Sequence, residues 1–317
     1  MNPNMPVDKQ DADEIAPEKD ALAGGTKLST LKKIERLRAK IKARSLELNI
    51  QPDHDETGHW YGFNGKKYPS VTGRLKILKD EALFNWKMNI AVNSIQSKWK
   101  PNQAYSQDLI DAIITEAKAL PTITFESAGD VGRQVHDWRE IWFQRLIDDN
   151  PIVTGFDNKE GDDGAVISAR RGLKKFMSDT QYQPLATELY VADPKLGIGG
   201  TLDDIGLLND KLVLIDLKTS NIGDKESYYA QVCLYLAMFK KLYRLYPKGV
   251  YILHLSKENG TYDLIPLHER CNIAKTTRWA KQVVKVSQGL EELRESKKKK
   301  GVEYVPRTGP GDSILGT

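Results

Sequence analysis

The chain has 317 residues, 40% hydrophobic and 28% charged, with a formal net charge of +4 and a mean hydropathy of −0.50. That is the composition of an ordinary water-exposed domain, and no apolar run approaches the ~18–20 residues of a membrane-spanning helix. Its two cysteines, Cys233 and Cys271, have no CxxC partner, which excludes a disulfide framework, a zinc knuckle and a four-cysteine iron–sulfur cluster.

Charge is unevenly distributed along the chain. Residues 1–25 hold six acids against two lysines, and residues 26–50 hold eight bases against two acids. Residues 1–27 offer little to a core and read as a disordered acidic tail, neither a signal nor a transit peptide; a cytoplasmic location is expected. From Leu28 to Leu48, Leu31, Ile34, Leu37 and Ile41 recur at helical spacing between lysines and arginines. This predicts a basic amphipathic arm, ending in a linker near residue 55 and docked on the domain or on DNA. Lys32, Lys33, Arg36 and Lys40 are its candidate phosphate contacts. A polar loop is expected over 51–57, and the main domain over 56–296.

Thr72 is the expected N-cap of a helix carrying Leu75, Leu78, Ala82, Leu83, Trp86 and Ile90 on its apolar side. Ser127 and Asp130 resemble a capping box for the next helix, whose core stripe is Val131, Val135, Trp138, Trp142 and Leu146. A third helix, about 165–177, is apolar at Val166, Leu173 and Phe176. Its Arg170, Arg171, Lys174 and Lys175 form a second candidate phosphate-binding stripe, or simply a solvated face. Strands are then expected at 185–191, 200–208 and 211–218, a helix at 227–245, strands at 250–255 and 262–266 turned by Asn259-Gly260, and a helix at 272–296. A basic then flexible tail, 297–317, closes the chain. The expected architecture is α/β: a short mixed sheet flanked by helices, with a helical region before it.

The chemistry concentrates on one hairpin. A turn at Asn209-Asp210 places Leu208 opposite Lys211 and, counting back, Asp203 opposite Asp216. Directly opposed residues have Cβ atoms roughly 4.5–5.5 Å apart on one face. Asp216 and Lys218 share that face, because strand side chains alternate. Asp204 points to the other. Both faces of the second strand are otherwise apolar, so the strand is buried. Two opposed buried carboxylates repel and are costly to desolvate; a divalent cation removes both penalties. The alternative is an ion pair from Lys218 to either acid.

These residues also carry a resemblance. Gly200-Thr201-Leu202-Asp203 and Asp216-Leu217-Lys218 resemble the GxxD and DxK motifs of the RecB-like branch of the PD-(D/E)XK nucleases. Val131-Gly132-Arg133-Gln134-Val135-His136 resembles the motif whose histidine joins the metal site. Gln231 and Tyr235 resemble the QxxxY motif of the helix after the sheet. His59-Trp60-Tyr61 through Pro69-Ser70-Val71-Thr72 is similar to the opening of phage and mitochondrial genome-maintenance exonucleases. The resemblance spans about residues 59–256. One departure is that no Pro-Asp precedes the first acid, so the motif's aspartate is open between Asp203 and Asp204, with strand pairing favouring Asp203.

The resemblance implies a restriction-endonuclease-like PD-(D/E)XK core, a Mg²⁺ or Mn²⁺ cofactor and a DNA substrate. It implies catalytic roles for Asp203, Asp216, Lys218, Gln231 and Tyr235, with Asp203, Asp216 and His136 on the metal and Glu188 as a further ligand or an ordinary strand-edge acid. Without the resemblance, His136 reads as a hydrogen-bonded core histidine. Glu140, one turn on, is a candidate to orient its ring. Exonuclease processing of DNA ends, with a recombination or replication protein as possible partner, is the implied role. An endonuclease on DNA or RNA and a non-catalytic DNA-binding module are the alternatives. No GxxxxGK[ST] loop is present, so no ATPase motor is expected.

Overall fold

The computed structural model describes residues 28–56, 58–78, 81–150, 163–220 and 226–299. The expected tail at 1–27 and most of the one at 297–317 lie outside them. The fold is α/β. It begins with α1 (Leu28–Leu48), followed by strands β1 (Gln51–Asp55), β2 (Gly58–Phe63) and β3 (Lys66–Pro69) in one antiparallel sheet. Helices α2 (Val71–Leu75), α3 (Glu81–Lys98), α4 (Gln107–Ile147) and α5 (Gly164–Thr180) precede the main sheet.

That sheet has five strands in the order β4 (Gln183–Asp193), β5 (Ile198–Leu208), β6 (Lys211–Lys218), β7 (Gly249–Leu255), β8 (Tyr262–Pro266). All neighbours are antiparallel except β6 and β7, which are parallel and joined through α6 (Glu226–Tyr243). A parallel pair needs such a crossover, since a hairpin cannot reverse the chain twice. Helices α7 (Leu267–Arg270) and α8 (Ile273–Lys299) follow. No described helix is long and apolar enough to cross a membrane.

Alternation of side chains divides the core into two layers. Leu214 and Ile252 face a cluster with Ile34 and Ile41 of α1, Val232 and Phe239 of α6, and Val284 of α8. Val213, Ile215 and Leu217 face the other, with Val135 and Trp138 of α4 and Val166, Leu173 and Phe176 of α5. The small sheet joins the first cluster through Tyr61, Phe63 and Tyr68, and the Tyr61 hydroxyl meets Thr201 Oγ1 at 2.9 Å.

Three expectations are corrected. Residues 51–55 form a strand rather than a loop, because they pair with β2 from Gln51↔Gly62 to Asp55↔Gly58. The helix expected from Thr72 is two helices, and its cap is Ser70, whose side chain accepts from the Gly73 N–H. Ser127 and Asp130 cap nothing: the cap of α4 is Ser106, twenty-one residues before Ser127, which accepts from the Leu109 N–H, and the helix continues through Pro121. Of the two placements expected for α1, on the domain or on DNA, the contacts show the one on the domain. Arg38 donates to the carbonyls of Pro184 and Leu146, Arg44 to that of Leu242, and Lys33 to that of Asp210 at 2.5 Å. Its basic residues therefore serve partly as ties to β4, α4 and α6.

Because Ile41 is only 2% exposed, Ile41→Ala should lower the unfolding free energy by ~2–5 kcal/mol in a urea titration. Lys32→Ala and Arg36→Ala, on the exposed side, should stay within ~0.5 kcal/mol. An Ile41→Ala protein as stable as the parent would contradict the docking of α1 on the domain.

Candidate metal centre

The β5–β6 hairpin sets the site. Asn209 and Asp210 both have positive φ, 49° and 59°, as a two-residue turn matched to strand twist requires. Pairing runs from Leu208↔Lys211 to Asp204↔Ile215, the register expected from the sequence. The regular ladder stops one step before Asp203 and Asp216. There the Asp203 side chain takes over, its Oδ2 accepting the Leu217 N–H at 2.7 Å. Beyond this point β5 continues with β4 alone, from Leu189↔Leu202 to Asp193↔Ile198. The two acids thus lie where β6 ends and β5 does not, and both are buried.

Around Asp203 gather two further groups. His136, on α4, brings Nδ1 to 3.8 Å from Asp203 Oδ1. Glu188, on β4, completes a set in which one ligand atom from each of His136, Glu188 and Asp203 lies within 4.8 Å of the others. Glu188 has φ 47°, a left-handed conformation inside a strand. The β4–β5 register holds on either side of it, at Thr187↔Asp204 and Leu189↔Leu202. Asp216 lies outside this trio. Its Oδ2 meets Lys218 Nζ at 2.5 Å, while Oδ1 is buried with no hydrogen-bond partner among the described residues. Lys218 Nζ also sits 5.3 Å above the Tyr228 ring.

Of the four expected ligands, then, three converge and the fourth holds the lysine. Gln231 Nε2 donates to the Tyr235 hydroxyl at 3.2 Å. Tyr235 lies against Gly200, where an added Cβ would come within 2.4 Å of its ring, so only glycine admits the tyrosine. Burial holds that phenol well above its ordinary range, with Asp216 and Asp203 adding to the effect. Glu140, one turn after His136 on α4, is exposed.

Sequence reasoning missed Arg139. Its side chain is fully buried, with Nη1 on Asp204 Oδ2 at 2.7 Å and Nη2 on Glu188 Oε1. A signal was present: Arg139 falls four residues after Val135, on the apolar stripe of α4, where an arginine needs a buried partner. The α5 stripe is also corrected. Arg170 is buried with its guanidinium 5.4 Å from the Trp138 ring, Lys175 is bound to Asp179 at 3.0 Å, and Lys174 is half-buried. Only Arg171 and Lys175 are exposed, so the four cations form no continuous outward row. Lys32, Arg36 and Lys40 of α1 do face outward.

The electrostatics follow from a count. Four carboxylates (Glu188, Asp203, Asp204, Asp216) face two permanent cations, Arg139 and Lys218, leaving two negative charges in excess. Burial pushes Glu188 up to about 8 against the pull of Arg139, and Asp204 and Asp216 up to about 6. The direct Arg139–Glu188 contact alone would suggest the opposite for Glu188. One guanidinium cannot neutralise three neighbouring acids, however, so a proton is retained. Burial also opposes ionisation of Asp203, but His136, Arg139, Lys218 and the Leu217 N–H outweigh it and keep its carboxyl below the ordinary range. His136 is pushed down to about 4, chiefly by burial, which leaves a neutral imidazole able to ligate. Asp216 and Asp203 outweigh burial at Lys218 and keep it an ammonium. An unpartnered buried carboxylate oxygen, an imidazole and carboxylates that outnumber the permanent cations suit a divalent cation.

No family model matches the chain, and no curated protein matches it. Among solved structures, one described as "Crystal structure of SSO0001" is similar over 36% of this chain and 55% of its own, at 19% identity and a TM-score of 0.24. The chain therefore spans about half the length of that neighbour.

The same count predicts how stability depends on pH. Folded Glu188 keeps its proton up to about pH 8, whereas an unfolded glutamate loses it near pH 4.5. The folded state then binds the extra proton, so the stabilisation is complete at low pH and is lost as pH rises through 8. His136 works in the opposite sense, but only below its ordinary value of 6.5. Between pH 6.5 and 8, chelator-treated protein should lose roughly 1–2 kcal/mol of unfolding free energy, and Mn²⁺ should flatten the slope. A stability that climbs across this window without metal would overturn the assignment.

Proposed function

We propose that this protein is a metal-dependent DNA nuclease built on a PD-(D/E)XK core. The observation that carries the reading is the β5–β6 strand end. Asp203 meets His136 and Glu188 there, while Asp216 holds Lys218 two residues along the same strand. Four of the five motifs quoted from the sequence lie on the elements around this strand end: GxxD on β5, DxK on β6, the histidine motif on α4 and QxxxY on α6. A mixed sheet with a β6–α6–β7 crossover agrees with such a core.

His136, Glu188 and Asp203 would hold the cation, with the free Oδ1 of Asp216 beside them. When bound, Mg²⁺ or Mn²⁺ supplies Lewis-acid polarisation of the phosphate and lowers the pKa of water; the imidazole inclines the set toward Mn²⁺. Hydrolysis adds water across one P–O bond. Lys218, kept protonated by Asp216, is suited to orient that water and to stabilise charge growing on the phosphoryl oxygens, not to remove a proton. Gln231 and Tyr235 brace the strand end from α6. The outward cations Lys32, Arg36, Lys40 and Arg171 are available to phosphates. The exonuclease role, and a recombination or replication partner, rest on the sequence resemblance alone.

Purified protein with Mn²⁺ should degrade linear DNA and spare covalently closed circles. Asp216→Ala and Lys218→Ala should each lower cleavage by several orders of magnitude while far-ultraviolet circular dichroism stays unchanged. Cleavage of closed circles would replace the exonuclease by an endonuclease. Parental rates in either variant would sink the site, and DNA binding without cleavage under any divalent ion would leave a binding module.

His136→Ala should weaken cleavage through metal affinity, raising the Mn²⁺ concentration for half-maximal activity by at least ~10–100-fold. Excess Mn²⁺ should recover more activity than excess Mg²⁺. A lowered melting temperature with an unmoved metal titration would return His136 to the core.

A further inference from the structure

Glu188 poses a problem that the ligand set does not solve by itself. A glutamate in a regular strand would continue the pleat, yet Glu188 takes φ 47° while the ladder keeps its register on both sides. Such a conformation persists only where the surroundings over-determine it. The structure supplies a cause in Arg139, which is on the same face of α4 as His136, three residues on. Its fork spans two acids from different strands: Nη1 takes Asp204 Oδ2 on β5 and Nη2 takes Glu188 Oε1 on β4. Glu188 Oε2 is not used by this fork.

Asp204 is the second half of the arrangement. It is 1% exposed, faces away from Asp203, and bonds no permanent cation but Arg139 among the described residues. Helix α4 therefore delivers two groups to one strand end, the His136 imidazole for the centre itself and a guanidinium that grips the acid beside it. A lysine would carry the charge but could not span the two carboxylates with a planar fork.

We propose that Arg139 is a positioning residue of the metal centre, anchored by Asp204 and gripping Glu188 through one oxygen so that the other is left for the cation. This rests on the metal-site reading of His136, Glu188 and Asp203. It assigns Asp204 to the support of the centre and not to its ligands.

The test measures Mn²⁺ binding directly on the full chain, by calorimetry or by loss of the free-ion electron paramagnetic resonance signal, with melting curves on the same samples. Arg139→Lys should weaken Mn²⁺ binding by ~10–100-fold, about as much as Glu188→Gln. The two changes combined should weaken it little more than either alone, because a mispositioned ligand has already been lost. Should Arg139→Lys fail to fold, Asp204→Asn tests the same chain of contacts: it keeps all three ligands, and the proposal requires weaker Mn²⁺ binding that is likewise non-additive with Glu188→Gln. Unchanged or tighter binding in the folded variant, or additive losses, would overturn the positioning role while leaving the metal site standing. A parent protein that binds no Mn²⁺ would overturn both. Mn²⁺ binding without DNA cleavage would remove the nuclease reading and leave the role of Arg139 supported.

Discussion

Two buried negative charges without permanent partners sit at the end of a sheet whose interior is otherwise apolar, and much of the local structure answers to them. Four carboxylates from three strands converge there, and α4 and β6 contribute one cation each. Charge in a dry interior is tolerated only when paired, neutralised or bound to metal, and this centre uses the first two already. Arg139 serves Glu188 and Asp204, Lys218 serves Asp216, and a retained proton on Glu188 lowers the remaining cost. A doubly charged ion could take the place of that proton and balance the acids that Arg139 and Lys218 leave over.

Much of this was legible in the sequence where a rule has a fixed period. The Asn209-Asp210 turn and strand alternation together fix the β5–β6 register, so Asp203, Asp216 and Lys218 could be set on one face without coordinates. The α4 start was lost because Ser127, three residues before Asp130, mimics a cap, whereas Ser106 and the tolerated Pro121 carry the real helix much further back. The strand at 51–55 was lost because Gln-Pro-Asp-His-Asp has no apolar alternation; this edge strand is held by backbone bonds and by polar contacts such as Asp53 with Lys67 and Asp55 with Trp60, which need none. Nor does any propensity announce a left-handed glutamate in a strand. Glu188 adopts that conformation beside a guanidinium supplied by a residue 49 positions away.

The α1 helix shows the same limit from another side. Its lysines and arginines gave the pattern of a nucleic-acid arm, and Ile34 and Ile41 gave the pattern of a docked helix; both patterns are present in one amphipathic segment. The structure distinguishes the cations by what they touch. Lys33, Arg38 and Arg44 end on backbone carbonyls, while Lys32, Arg36 and Lys40 end in solvent. Composition could not separate these two groups, because a carbonyl partner leaves no trace in the charge count.

Asp203 and Asp204 are neighbours in β5, and the strand sends them to opposite sides. That alternation gives one short peptide unit two functions. Asp203 binds the Leu217 N–H and approaches His136, so it is tied to β6 and α4 at once. Asp204, one residue on, is tied to α4 through Arg139. A shift of β5 by a single residue that put Asp204 in Asp203's place would put Ile205 in Asp204's, leaving Arg139 with no anchor on that strand. The turn residues at 209–210 therefore do more than reverse the chain: by fixing register, they decide which aspartate meets His136 and which meets the Arg139 guanidinium.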